Sequence, residues 1–427
     1  MTTPDAALND ELLQATVDED VQEAEKSQPK RNSKDDLIAK IINCCADSNL
    51  ELEYSNTRLR RMTKDQLCKI LAEKIELGIK SQMAAQVGAK YAVAFSSGTA
   101  ALHGAVFAAD LGPGDEAITT PITFCATANC ALYTGATPVF ADVCPETLNI
   151  DVQQIEERIT PRTKAILPVD YAGHPVNLDS ILALAERHGL VVIEDAAHAL
   201  GAEYKGRKVG SISHMTTFSF HPVKHITTCE GGMVTTDNPD FARRLKMFRS
   251  HGVDPEARRR SAETADPWFY EMEALGFNYR LPDVACALGI SQMKRLEKNV
   301  SRRRQIASHY SEAFAQLPGV VPLAELPEIK SAWHIYPIRL ELDKFTVGRK
   351  AIFEALRAEN LQVNVHYIPV HLHPYYRKRF GYEGGEYPIS EGAYESLITL
   401  PLFHSMTDQD EKDVIAAVSK VTQHYAK

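Results

Sequence analysis

Three stretches of this 427-residue sequence hold residue types that could do chemistry together. In the first, Thr217-Phe218-Ser219-Phe220-His221-Pro222-Val223-Lys224, a lysine follows an apolar run, and Gly231-Gly232 then turns the chain into a second one, Met233-Val234. A lysine enclosed in such a loop, with another cation nearby, loses basicity and becomes a nucleophile toward an aldehyde. In the second, Val191-Val192-Ile193-Glu194-Asp195-Ala196-Ala197-His198, an apolar strand ends in two acids. Asp195 at that carboxyl end can pair with a protonated ring nitrogen, and His198 can hydrogen-bond a phenolic oxygen or the region of the lysine adduct. In the third, Phe95-Ser96-Ser97-Gly98-Thr99-Ala100-Ala101-Leu102, a strand runs through small residues straight into a helix. Free N–H groups and the helix dipole favour a phosphate there; Gly98 allows close approach, and Thr99 and Ser219 offer hydroxyls. Taken singly, each stretch reads as readily as an N-cap turn, a structural histidine or a surface lysine. Together they fit pyridoxal 5′-phosphate, with Lys224 for the aldehyde and Asp195 for the ring nitrogen.

The elements that must position these residues follow from hydrophobic patterning. Apolar runs without alternation predict strands at Tyr91–Ser96, Glu116–Thr120, Pro138–Asp142, Lys164–Val169, Leu190–Asp195, Met215–Phe220 and Gly232–Thr236. Helices are predicted from Gly98 through Ala109, over Phe124–Tyr133 and over Leu178–His188. This α/β alternation implies a sheet covered on both faces. After Asp283 come long helices. A strand at Trp333–Leu340, a helix at Val347–Glu359 and a last helix from Asp408 complete a smaller α+β part. The expected organisation is an acidic disordered tail at 1–35, a helical extension at 36–87, a large cofactor-binding α/β domain at 88–300 and a small α+β domain at 301–427. Within 36–87, two or three short amphipathic helices flank Arg58-Leu59-Arg60-Arg61.

Composition narrows the function. A formal net charge of −9 argues against a nucleic-acid surface, and the triplets Arg258–Arg260 and Arg302–Arg304 are expected to be solvated faces. Eight cysteines without a C-x-x-C pattern suit reduced thiols, with neither a zinc site nor a disulfide framework. The first 25 residues hold eight Asp or Glu and no Lys or Arg, unlike a secretory signal, and no apolar run reaches the ~20 residues of a membrane helix. A cytoplasmic location without membrane or nucleic-acid partners is expected, and no metal ligands are assigned.

The ordered series SSGTAAL, TPITFCATAN, EDAAHALGAEY, SFHPVKHITTCEGGMVTT, FRSHG, GFNYRLPD and HYIPVHLHPYY resembles the DegT/DnrJ/EryC1/StrS family over about residues 85–425. The resemblance implies the fold of type I pyridoxal-phosphate enzymes, similar to aspartate aminotransferase, and transamination of a nucleotide sugar. It makes Lys224 the Schiff-base lysine, Asp195 the partner of the pyridine nitrogen, and Phe124 the aromatic group stacked on the ring. Gly98, Thr99 and Ser219 become phosphate ligands, and His198 stands where the family has Gln or His. Asn278 is implied to reach the phosphate of the other subunit of a homodimer. Arg280 takes either a substrate phosphate or a structural salt bridge, and His366 and Tyr367 lie near the sugar. The wording is most similar to 4-aminotransferases of pseudaminic acid biosynthesis, which implies a UDP-linked 4-keto-6-deoxy-N-acetylhexosamine and L-glutamate as donor in a ping-pong reaction. The family's usual opening segment is replaced here by Glu76-Leu77-Gly78-Ile79-Lys80-Ser81-Gln82-Met83. A sugar dehydratase of the same fold, in which the lysine is replaced by histidine, and a non-catalytic scaffold protein are the competing expectations.

Overall fold

The computed structural model describes residues 34–47, 55–254 and 268–427. The acidic tail expected at 1–35 lies outside the described residues up to position 33, as does the whole Arg258–Arg260 triplet. Two compact units are distinguished, Met1–Ile79 and Lys80–Lys427.

In the first unit the helical pattern is present, but two expectations need correction. Arg58–Arg61 does not separate helices; it forms most of one, Asn56–Arg61, which follows the helix Lys34–Asp47. Ser55 starts it by accepting the Arg58 N–H at 3.3 Å, and Leu59 is fully buried with Leu37, Ile38, Ile41 and Leu67. A single buried residue among three exposed arginines gives too little periodicity to mark a helix. The next helix, Lys64–Val87, starts in this unit, extends past its boundary at Ile79, and is long rather than short, at 24 residues. It opens with a capping box: Gln66 N–H donates to Thr63 Oγ1 at 3.2 Å and Thr63 N–H to Gln66 Oε1 at 2.8 Å.

The second unit is built on a seven-stranded sheet. Its strands are β1 (Tyr91–Phe95), β2 (Glu116–Thr119), β3 (Thr137–Phe140), β4 (Thr163–Leu167), β5 (Val191–Asp195), β8 (Met215–Ser219) and β9 (Gly232–Thr236), with the short β6 (Glu203–Tyr204) and β7 (Arg207–Lys208) outside it. The spatial order is β1-β9-β8-β5-β4-β2-β3, parallel except that β9 runs antiparallel to both neighbours. Alternate side chains feed two cores. Ile193, Ala165, Leu167, Val93 and Phe95 pack with the helices Gly98–Ala108 and Pro239–Phe248, whereas Val192, Ile166 and Ile118 pack with Leu178–His188. Both faces are dry, as uninterrupted apolar strands require.

The C-terminal part holds β10 (Val320–Pro322), β11 (Ile329–Lys330), β12 (Tyr336–Leu340) and β13 (Leu397–Leu400); β10, β12 and β13 form an antiparallel sheet. Helices Leu296–Phe314, Arg349–Ala358 and Asp408–Tyr425 pack on it. Here the expected solvated triplet Arg302–Arg304 is corrected. Arg303 is buried and Arg304 partly so. Arg303 Nη1 donates to the carbonyls of Trp333 (3.3 Å), His334 (3.0 Å) and Leu402 (2.8 Å), and Arg304 to those of Ser331 and Gly201. Three consecutive helical residues point about 100° apart, so one of them faces the core. β12 begins at Tyr336 rather than at Trp333, whose φ of 47° lies outside the strand region.

Gly232 begins β9 opposite both Phe95 and Ser219, where an added Cβ would lie 2.4 Å from the Ser97 carbonyl oxygen. We expect Gly232→Ala to lower the unfolding free energy by about 1–3 kcal/mol in urea titrations; an unchanged midpoint would show that the turn at Ser97 yields freely.

Candidate active site

The carboxyl ends of β5 and β8 and the start of the Gly98–Ala108 helix border one cavity of about 290 Å³, close to the lower end of small-molecule pockets at ~300 Å³. Ligands collect at such strand ends in open α/β sheets.

Lys224 sits on the loop between β8 and β9. Hydrogen bonds from Lys224 N–H to the His221 carbonyl, Thr228 N–H to the Phe220 carbonyl and Phe220 N–H to the Gly231 carbonyl hold that loop. The side chain keeps some accessible surface where it borders the cavity. Burial brings its amine down to about 8; Asp195 pulls it upward and the Arg303 charge pushes it further down. Its Nζ lies 3.2 Å from His334 Nε2.

Asp195 ends β5 and is buried. Its Oδ2 accepts the Thr127 hydroxyl at 2.7 Å and its Oδ1 the Ala197 N–H at 3.1 Å. Burial raises its pKa, while those two bonds and the Lys224 charge draw it back. Thr127 is positioned by the helix Ala126–Tyr133, which starts two residues later than its sequence suggests. That shift leaves Phe124 before the helix and 59% exposed, an open aromatic face on the cavity wall. His198 Nε2 and the Tyr367 hydroxyl are 3.1 Å apart, and the His198 and His334 rings are 4.3 Å apart. Burial first, then the Lys224 charge, hold both imidazoles neutral, well below their ordinary range.

At the third wall, Ser97 Oγ caps the helix by accepting the Ala100 N–H at 3.1 Å. A Cβ on Gly98 would stand 3.0 Å from Ser219 Cβ, so glycine keeps the space between helix start and Ser219 open. The residues fit pyridoxal phosphate. An open helix start with Thr99 and Ser219 suits its phosphate, Asp195 its ring nitrogen, the Phe124 face its flat ring and the Lys224 amine its aldehyde.

Of the residues singled out in the sequence, Lys224, Asp195, His198, Gly98, Thr99, Phe124, Ser219 and Tyr367 border this cavity. His366 packs against Tyr367, its ring 5.0 Å away, without lining the cavity. Asn278 and Arg280 are exposed and do not line it. Thr127, Arg303 and His334 were not anticipated. Only the regular TPITFCATAN wording around Thr127 offered a signal, and none marks His334.

The DegT/DnrJ/EryC1/StrS aminotransferase family model matches residues 72–419. The spore coat polysaccharide biosynthesis protein SpsC of Bacillus subtilis is 45% identical over 345 residues, 81% of this chain and 88% of its own length. Among solved structures, Helicobacter pylori PseC, an aminotransferase involved in pseudoaminic acid biosynthesis, is 31% identical with a TM-score of 0.75, covering 93% of this chain and 99% of that one. A sugar-aminotransferase candidate of Streptococcus pneumoniae in its PLP form is 26% identical with a TM-score of 0.75, covering 92% and 97%.

An amine is nucleophilic only when unprotonated, so an amine at about 8 reacts at lower pH than an ordinary lysine near ~10.4. In cofactor-free protein, competitive acetylation of the Lys224 peptide should rise with a half-maximum near pH 8; a rise confined to pH above ~10 would contradict this environment.

Proposed function

The chain belongs to the DegT/DnrJ/EryC1/StrS aminotransferase family, and from that premise we propose that it moves the amino group of L-glutamate onto C4 of a nucleotide-linked 4-keto-6-deoxy sugar. Its cofactor is pyridoxal phosphate, which when bound supplies an electron sink for the pair left as a donor Cα loses its proton. The observation that carries the reading is the convergence of Lys224 and Asp195 with an open helix start on one cavity.

Each residue then has a task. Lys224 Nζ would be the nucleophile for the aldehyde carbon; once freed by the donor amine it would take the proton from the donor Cα and deliver it, across the intervening nitrogen, to that former aldehyde carbon. Asp195 holds a proton on the ring nitrogen, and the Thr127 hydroxyl and Ala197 N–H fix its carboxylate. Gly98, Thr99 and Ser219 hold the phosphate, Phe124 stacks on the ring, and His198, oriented by Tyr367, meets the ring's oxygen edge. The same atoms then act in reverse on the keto sugar. The balance is L-glutamate plus keto sugar giving 2-oxoglutarate plus amino sugar.

The likeness to Helicobacter pylori PseC supports a UDP-linked 4-keto-6-deoxy-N-acetylhexosamine of pseudaminic acid synthesis, and SpsC supports a place in surface-polysaccharide assembly. A homodimer belongs to the same reading. Trp268, Tyr270, Met272, Leu275 and Val284 are 65–84% exposed around Asn278 and Arg280, an apolar strip suited to a second copy. Asn278 would then reach the partner's phosphate and Arg280 a substrate phosphate, with His366 beside the sugar. The described cysteines are free thiols, which supports a cytoplasmic setting. No helix among the described residues is long and apolar enough to cross a membrane.

The test supplies the loaded enzyme with L-glutamate and UDP-4-keto-6-deoxy-N-acetylhexosamine. One 2-oxoglutarate should form per amino sugar, and Lys224→Ala should lose at least about a thousandfold in rate. Loss of water from the sugar without 2-oxoglutarate would identify a dehydratase, and turnover by Lys224→Ala would refute the role given to the lysine.

A further inference from the structure

The hydrogen-bond partner of the Lys224 amine is an imidazole, and its placement has a chemical consequence. Lys224 Nζ meets His334 Nε2 at 3.2 Å. His334 is buried between β11 and β12 (7% exposed), and its Nδ1 has no partner in either tautomer. Its backbone is fixed from both sides: the carbonyl accepts Arg303 Nη1 at 3.0 Å, and the N–H donates to the Ala172 carbonyl at 3.0 Å. Arg303 spends Nη1 on three carbonyls, so a guanidinium charge lies permanently close to the imidazole.

We propose that His334 is a positioning residue for Lys224, a neutral acceptor at Nε2 that anchors one N–H of the lysine while another part of the nitrogen reacts. This rests on Lys224 being the carbonyl-attacking lysine proposed above. The free lysine alternates between amine and ammonium as it takes and returns a proton. An acceptor at Nε2 serves both states, since amine and ammonium each have an N–H to donate. A donor there would occupy the amine's lone pair, the one needed to take the proton, and would face no lone pair on the ammonium. The chemistry therefore places the imidazole proton on Nδ1.

The surroundings keep the ring in that form. Arg303, Lys224 and the rings of His198 and His225 face it, and an added charge on His334 would stand among them with no carboxylate in contact. Around Lys224 itself, Asp195 is the facing acid, and Arg303, His198, His225, His221 and His366 complete the set. His225, next in sequence to the lysine, is turned away, its Nε2 on the Ala332 carbonyl at 3.0 Å. Among the described residues, His334 is therefore the one histidine hydrogen-bonded to the Lys224 side-chain amine.

The test uses cofactor-free protein, a small aromatic aldehyde and cyanoborohydride, with the modified peptide read by mass spectrometry. In the parent protein, trapping should occur at Lys224. His334→Ala should slow it about tenfold, as expected for losing one hydrogen bond to an ionisable group; His334→Gln, which keeps an acceptor oxygen, should stay within about threefold, with both thermal midpoints near the parent's. In loaded enzyme the Ala variant should lower kcat of the glutamate half-reaction and leave KM unchanged. Trapping by His334→Ala at the parent rate would overturn the proposal. If the Ala variant does not fold, Gln is compared with Leu: a fast Gln and slow Leu support it, and equal rates overturn it. Trapping in the parent at other lysines would remove Lys224 from its proposed role, and His334 with it.

Discussion

The site depends on holding one lysine amine out of water without giving it a carboxylate in contact. A salt-bridged lysine would stay protonated and inert; a solvated one would titrate near ~10.4. Lys224 escapes both, because burial and the Arg303 charge lower its basicity and its hydrogen-bond partner is a neutral imidazole. Asp195 exerts its opposing pull from across the cavity, and its own oxygens are engaged by Thr127 and Ala197.

The architecture supplies these conditions together. Parallel strands β5 and β8 end at the same edge, so an acid closing one and a lysine loop closing the other share a cavity without being sequence neighbours. The antiparallel β9 returns from that loop and passes so close to Ser97 that only glycine fits at 232. The C-terminal part then closes the rear: Arg303 on one helix gathers the carbonyls of Trp333, His334 and Leu402. A buried guanidinium satisfied mostly by carbonyls acts as both clamp and fixed charge, which explains why a stretch of three arginines is not a solvated face here.

The parts of this design that were legible from residue order share a cause. β5 and β8 were readable because strands buried on both faces are uniformly apolar, and Lys224, Asp195, Gly98 and Ser219 because each lies at the end of such a strand or beside it. Phe124 and Tyr367 came from family wording alone. What stayed hidden depends on contacts distant in sequence. His334 meets Lys224 across 110 residues, and Arg303 reaches Leu402 across 99; neither leaves a periodic trace. Helix Asn56–Arg61 was hidden for a local reason, since six residues with one buried leucine cannot display a period of 3.6.

The most direct measurement of the central claim is the visible absorbance of the protein loaded with pyridoxal phosphate, recorded before and after L-glutamate is added without sugar. The account predicts a band that depends on Lys224 and is bleached by glutamate, with one 2-oxoglutarate released per subunit. A band that glutamate leaves unchanged, or one that forms normally in Lys224→Ala, would contradict it.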